Sequence, residues 1–407
     1  MKPILAIVGR PNVGKSTLFN KIAGRRISIV DGMPGVTRDR VYADTEWLRH
    51  SFTLIDTGGL DPESDDDLTR QVFHQAELAM ETADVIAFVT DVKTGPLEAD
   101  MDVANLLRRA NKPVVLVVNK IDDMRHENLD IYAFYALSLG VPIAVSAGQG
   151  LGIGDLLDEI VQHFPTPKPE PEEDGVIRVA VAGRPNVGKS SLINKILGES
   201  RLIVSDIPGT TRDAVDSDVE KNGQRYTFID TAGIRRKSRM KGDIERYSIV
   251  RAIAAVQRAD VCVLLISAEE GIAEQDAKIA GIAHEAGKAS VIAVNKWDAI
   301  EKDDKTMNQY LKDIAASLAF MPYAPKVFIS ALTGQRLDKV FDAVYAAYQN
   351  YCLRVGTGVL NEVLTEAAAI HQPPVDKGRQ LKIYYATQAS VKPPTFVLFV
   401  NDAGLMH

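Results

Sequence analysis

GRPNVGKS stands at residues 9–16 and again, letter for letter, at residues 183–190. Each copy follows a short apolar run, ILAIV (4–8) in one case and IRVAVA (177–182) in the other. An apolar run, a glycine-rich turn and a following helical pattern predict strand, loop and helix, the context in which G-x-x-x-x-G-K-[ST] cradles phosphate. Gly9, Gly14, Gly183 and Gly188 permit the tight turn, and Arg10, Pro11, Asn12 and Val13, with Arg184, Pro185, Asn186 and Val187, complete the two loops. Lys15 and Lys189 are placed to reach β- and γ-phosphates, and Ser16 and Ser190 to offer a hydroxyl to Mg²⁺.

The repeat runs well beyond the loop. Asn12, Thr37, Asp39 and Asp56 recur as Asn186, Thr211, Asp213 and Asp230 at a constant offset of 174 residues. Asn119 recurs as Asn295 and Ser146 as Ser330, so insertions accumulate late in the second copy. A period of this length marks a duplicated domain rather than a solenoid. Both copies alternate apolar, β-branched runs with segments of three-to-four spacing such as LTRQVFHQAELAMETA (68–83) and ERYSIVRAIAAVQRA (245–259). Such alternation predicts an α/β fold with doubly wound, mostly parallel sheets. At 407 residues the chain exceeds one core. We expect a first domain over 1–163, an acidic proline-rich linker over 164–175 (FPTPKPEPEEDG), a second domain over 176–349 and a small α+β domain over 350–407.

Composition excludes several classes. With 46% apolar and 25% charged residues the chain reads as globular, and no apolar run approaches the roughly 18 residues of a membrane span. The two cysteines, Cys262 and Cys352, have neither metal-ligand nor redox spacing, which predicts a reducing, cytoplasmic setting. A net charge of −7 argues against a surface that coats nucleic acid throughout, though not against a local basic face.

The base is chosen elsewhere. NKID (119–122) and NKWD (295–298) each end an apolar run. Guanine presents two neighbouring donors, N1–H and the 2-amino group, which one carboxylate accepts together; Asp122 and Asp298 suit that task. Asn119 and Asn295 are expected at the acceptor edge of the base, the stems of Lys120 and Lys296 over its face, and Ser146-Ala147 and Ser330-Ala331 in a further base loop. The ligand read from these residues is GTP, exchanged for GDP.

Asp56-Thr57-Gly58-Gly59 and Asp230-Thr231-Ala232-Gly233 also end strands. Their aspartates are expected to hold Mg²⁺, with Thr37 and Thr211, and the N–H groups of Gly59 and Gly233 to sense a γ-phosphate. The next residues, Leu60 and Ile234, stand where many GTP hydrolases carry a glutamine that orients water, and an apolar side chain cannot do that. Asn12 and Asn186 are candidates to help hold a monovalent cation against the phosphates; the alternative is that they only stabilise the turn.

With both motif series in order and a short C-terminal module after them, the chain resembles the bacterial EngA/Der double GTPases over essentially its whole length. The resemblance implies Era-like GTPase domains, a KH-like third domain, a switch role in maturation of the 50S ribosomal subunit through its rRNA, and K⁺-stimulated, Mg²⁺-dependent hydrolysis with K⁺ bound partly through Asn12 and Asn186. A free monomer, with a fraction on ribosomes and no membrane partner, is the expectation. The third segment departs from a nucleic-acid-binding KH pattern in lacking GxxG, and it stops at GLMH, where the family continues with a helix and strand, so an incomplete domain is expected. Beside the switches the copies diverge: IRRKSRMK (234–241) is basic and LDPESDDD (60–67) acidic. The basic loop is read as an RNA-backbone contact, a solvated loop or an intramolecular partner for acidic surface, and the acidic one as docking on protein.

Overall fold

A computed structural model describes residues 2–24, 42–60, 68–110, 112–122, 129–165, 175–199, 201–202, 216–231, 244–371, 375–376 and 379–405. These divide into two compact units, residues 1–174 with 239–257, and residues 175–238 with 258–407.

The first unit runs β1 (Ile4–Val8), α1 (Lys15–Ala23), β2 (Tyr42–Trp47), β3 (His50–Asp56), α2 (Leu68–Thr82), β4 (Val85–Asp91), α3 (Glu98–Arg108), β5 (Val114–Asn119), β6 (Ile143–Ala144) and α4 (Ile153–Gln162). Its sheet has the order β2-β3-β1-β4-β5-β6, parallel except for β2, which pairs antiparallel with β3. Why ILAIV has no polar position follows from its place at the centre. Ile4, Ala6 and Val8 enter a core with α2 and α3, whereas Leu5 and Ile7 enter another with α1 and α4. A strand covered on both faces has no solvent side to mark with polar residues. The α2-side core also takes in Val250 from α6 (Ile244–Arg258), the helix that follows the second DTAG segment.

The second unit runs β7 (Val176–Ala182), α5 (Lys189–Glu199), β8 (Arg201–Leu202), β9 (Ser217–Lys221), β10 (Gln224–Phe228), β11 (Val261–Ser267), α7 (Glu274–Glu285), β12 (Ala289–Asn295), α8 (Thr306–Ser317), β13 (Lys326–Phe328) and α9 (Leu337–Tyr351). Its sheet order, β13-β12-β11-β7-β10-β9-β8, is that of the first with one short antiparallel strand added at the edge. Both copies thus send the chain to opposite sides of the strand before the phosphate loop. Loops at that switch point open outside the carboxyl ends of the strands, where doubly wound sheets bind ligands.

After α9 come α10 (Thr357–Ile370), the two-residue strands β14 (Val375–Asp376) and β15 (Arg379–Gln380), and the hairpin β16 (Ile383–Ser390) and β17 (Thr395–Val400). Two side-chain amides secure this module. Asn361 donates to the Ala386 carbonyl at 2.8 Å and accepts its N–H at 2.7 Å, tying α10 to β16. Gln388 accepts the Val355 N–H at 2.7 Å and donates to the Leu353 carbonyl at 2.9 Å, tying β16 to the segment before α10. Each amide replaces backbone pairing that the helix–strand junction cannot supply.

Candidate functional site

Gly9 and Gly183 sit at φ +156° and +148°, and a Cβ on either would strike a carbonyl of the neighbouring central strand, Val89 or Leu265. Gly14 and Gly188, at φ +96° and +99°, leave no room beside the amides of Asn119 and Asn295. These four positions are closed to any side chain, which is why the loop must be glycine-punctuated. Between them Asn12 and Asn186 are left-handed, at φ 65° and 64°, with exposed side chains. Asparagine tolerates that backbone region better than most residues, so the turn alone accounts for the residue type.

Lys15 heads α1 and is only 6% exposed. Its ammonium donates to the carbonyls of Gly9 at 2.6 Å and Arg10 at 2.8 Å. Lys189 repeats this on Gly183 at 2.6 Å and Arg184 at 2.5 Å. Burial pushes Lys15 down to about 8, against the pull of the Asp56 carboxylate upward and with the Arg10 charge helping to lower it. A phosphate entering the loop restores the ammonium, because the anion favours the charged form.

Ser16 donates its hydroxyl to Asp56, the last residue of β3, at 2.8 Å. A hydroxyl and a carboxylate in contact form a hard oxygen donor set, which fits Mg²⁺. Thr57 turns away, its hydroxyl donating to the Ile7 carbonyl at 2.6 Å. Gly58 donates its N–H to the Asp56 carboxylate at 2.9 Å, and Thr57 to Leu60 form a single 3₁₀ turn. The second copy differs here. Asp230 lies past the end of β10 with a left-handed φ of 57°, and its N–H donates to Asp216 at 3.0 Å. The Thr231 hydroxyl meets that of Ser217 at 2.8 Å. Thr37, Thr211, Ala232, Gly233 and Ile234 lie outside the described residues, as do the basic 234–241 segment and the acidic residues 61–67.

The asparagine of each NKxD motif is the keystone. Asn119, 2% exposed at the end of β5, donates to the Val13 carbonyl in the phosphate loop at 2.7 Å. Its side-chain oxygen accepts the Ala147 N–H at 2.9 Å. Asn295 does the same to Val187 at 2.8 Å and Ala331 at 2.8 Å. Sequence reasoning placed these amides on the base edge; the structure uses them to bind the base loop to the phosphate loop, leaving one N–H of each available. Lys120 and Lys296 both adopt left-handed backbone, at φ 69° and 59°. The Lys120 ammonium reaches the Asn12 carbonyl at 2.7 Å and Asp91 at 2.6 Å, so its stem bridges the two loops, while Lys296 pairs with Glu269 at 2.6 Å. Asp122 is exposed and accepts the Ser146 hydroxyl at 2.9 Å, which holds its carboxyl below the usual aspartate range. Asp298 is likewise exposed, and Ser330 is buried.

Two residues escaped the sequence reading, Asp100 and Asp276. Arg10 and Arg184 direct their side chains to Asp100 and Asp276, at the starts of α3 and α7. The signal was present: GPLEAD (95–100) and GIAEQD (271–276) share G-x-x-E-x-D. Among the described residues there is no cluster of three His, Cys, Asp or Glu able to hold a metal, and no helix long and apolar enough to cross a membrane.

Comparison with known proteins matches residues 4–120 and 178–296 to a family described as 50S ribosome-binding GTPase. Residues 354–407 match the KH-domain-like C-terminal region of EngA bacterial GTPase enzymes. Among similar proteins, GTPase Der of Agathobacter rectalis is 60% identical over all of this chain and 92% of its own length. GTPase Der of Clostridium perfringens is 58% identical over the same shares. Two phosphate loops, two NKxD loops keyed by an asparagine and a KH-like module at the C-terminal end place this chain in the EngA/Der family of tandem GTPases.

Proposed function

We propose that both pockets bind GTP and hydrolyse it as independent switches that govern association with the 50S ribosomal subunit and its rRNA in the cytoplasm. The observation that carries this reading is the doubled keystone. In both copies one asparagine joins phosphate loop to base loop, and that shared bridge supports reading each as a guanine pocket. The domains proposed are those expected from the sequence, 1–163, 176–349 and 350–407, with a linker over 164–175.

In each pocket the Asp122 or Asp298 carboxylate takes the paired donors of guanine, and the loop N–H groups with Lys15 or Lys189 take the phosphates. Ser16 and Asp56, with Thr37, would hold Mg²⁺, and Ser190, Asp230 and Thr211 are its counterparts. Bound Mg²⁺ supplies charge neutralisation at the phosphates. Water attacks the γ-phosphorus, the bond to the β–γ bridging oxygen breaks, and Lys15 or Lys189 offsets charge on that oxygen. Gly59 and Gly233 report the presence of the γ-phosphate. Leu60 and Ile234 cannot orient water, and K⁺ held partly by Asn12 and Asn186 is the proposed substitute source of positive charge.

Sedimentation of the chain with purified 50S subunits tests the proposal. Association is expected to differ between GDP and a non-hydrolysable GTP analogue, and equal association in both would overturn the switch.

A further inference from the structure

We propose that Arg10 with Asp100, and Arg184 with Asp276, are positioning pairs that fix the phosphate loop's carbonyls for the lysine of the same loop. The inference rests on reading the loops as GTP sites, and adds Asp100 and Asp276, which no motif assigns, together with a role for the two arginine side chains.

Each arginine faces two ways. Arg10 Nε donates to Asp100 Oδ1 at 2.7 Å and Nη2 to the Thr94 hydroxyl at 3.1 Å. Asp100 is wholly buried, and its second oxygen accepts the Leu97 N–H at 3.0 Å, where α3 begins. In the other copy Arg184 Nε donates to Asp276 Oδ2 at 2.9 Å, Nη2 to the Gly271 carbonyl at 3.0 Å, and Nη1 pairs with Glu270 at 3.1 Å. Asp276 also accepts the Ala273 N–H at 3.0 Å and is itself wholly buried. Meanwhile the backbone carbonyl of each arginine receives the ammonium of Lys15 or Lys189. Side chain grips helix; backbone grips lysine.

A cap for α3 needs no such arrangement, since an aspartate accepting the Leu97 N–H suffices for that. Burying a carboxylate completely is costly unless a cation meets it, and both copies meet it with the one arginine whose carbonyl the lysine uses. In the second copy the cost is plain: Asp276 Oδ1 has no hydrogen-bond partner, and burial pushes the carboxyl up against the pull of the Ala273 N–H and Arg184. Without the side-chain anchor the peptide after Gly9 is free to turn, and Lys15 loses one of its two carbonyls. Displacement of a positioned group by about 1 Å costs on the order of a hundredfold in rate.

The test uses the full chain with the second pocket silenced by Lys189→Ala, so that hydrolysis reports the first. That background must hydrolyse GTP; if it does not, the reading of the first loop as a hydrolytic site fails, whatever Arg10 does. Arg10→Ala and Asp100→Asn are each expected to slow single-turnover hydrolysis at saturating GTP by about tenfold or more. Combined, they should be no worse than the more severe single change, since they break one device. Arg10→Lys keeps the charge beside Asp100 without the planar fork, and should recover part of the rate. A merely structural role predicts a lower unfolding temperature with the saturated rate within twofold of the background, and that result would overturn the proposal. Where Asp100→Asn does not fold, Arg10→Ala carries the decision alone: a slowed saturated rate supports positioning, and a rate within twofold of the background refutes it.

Discussion

In the proposed pocket the carboxylate that takes two hydrogens from a purine must be ionised when the purine arrives, and the Ser146 hydroxyl lowers the Asp122 carboxyl in that direction. Because the carboxyl is held low in the folded protein, its charge persists below the ordinary aspartate value and is lost only as pH falls through the lowered one. Ser146→Ala removes the largest cause of that shift. In a fluorescent GDP titration, the acid limb of first-pocket binding should therefore move to higher pH, with little change at neutral pH. A second prediction concerns Asn12 and Asn186, whose exposed, left-handed placement suits a turn as well as a cation ligand. If they help hold K⁺, hydrolysis is slower in Na⁺ than in K⁺, and Asn12→Ala in a Lys189→Ala background brings the ratio of the two rates to one. A ratio unchanged by the substitution returns Asn12 to the turn.

Among the elements, strands with two buried faces were legible and the antiparallel strands β2 and β9 were not. ILAIV reads directly as β1, and DVIAFVTD and DVCVLLIS as β4 and β11, because burial on both sides confines polar residues to the strand ends. YADTEW and SDVEK also form strands, β2 and β9, but lie toward the antiparallel side of each sheet with polar side chains half exposed. Their pairing comes from the neighbour, β3 or β10, rather than from any pattern of their own. The site shows the same division. Residues that must touch ligand sit in short contiguous motifs. The Arg10–Asp100 pair and the Asn119 bridge depend on contacts across 90 and 106 residues, which only the folded sheet brings together. The C-terminal module offers an element-scale test. Asn361→Ala strips both partners from the Ala386 backbone, which is buried, at a cost of about 1–3 kcal/mol for each group left unsatisfied. Hydrogen exchange along β16 should quicken while guanine nucleotide affinity is unchanged.

For the whole molecule, duplication predicts a stoichiometry. Equilibrium dialysis should find two guanine nucleotides per chain, and Lys15→Ala and Lys189→Ala should each weaken one site by about tenfold to a hundredfold, from the roughly 1.5–3 kcal/mol of a hydrogen bond to a charged group. The two sites are not equal, however. Asp56 closes its strand against Ser16, whereas Asp230 lies beyond its strand with reversed backbone hand and its N–H on Asp216. One polypeptide therefore carries two timers of one make that need not run at one speed. The keystone amide has its own consequence for emptying them. Since Asn119 clasps both Val13 and Ala147, prising at the 146–147 turn also loosens the grip on the far end of the nucleotide. A partner seated on the purine side holds a lever over discharge of the spent ligand without ever reaching its phosphates.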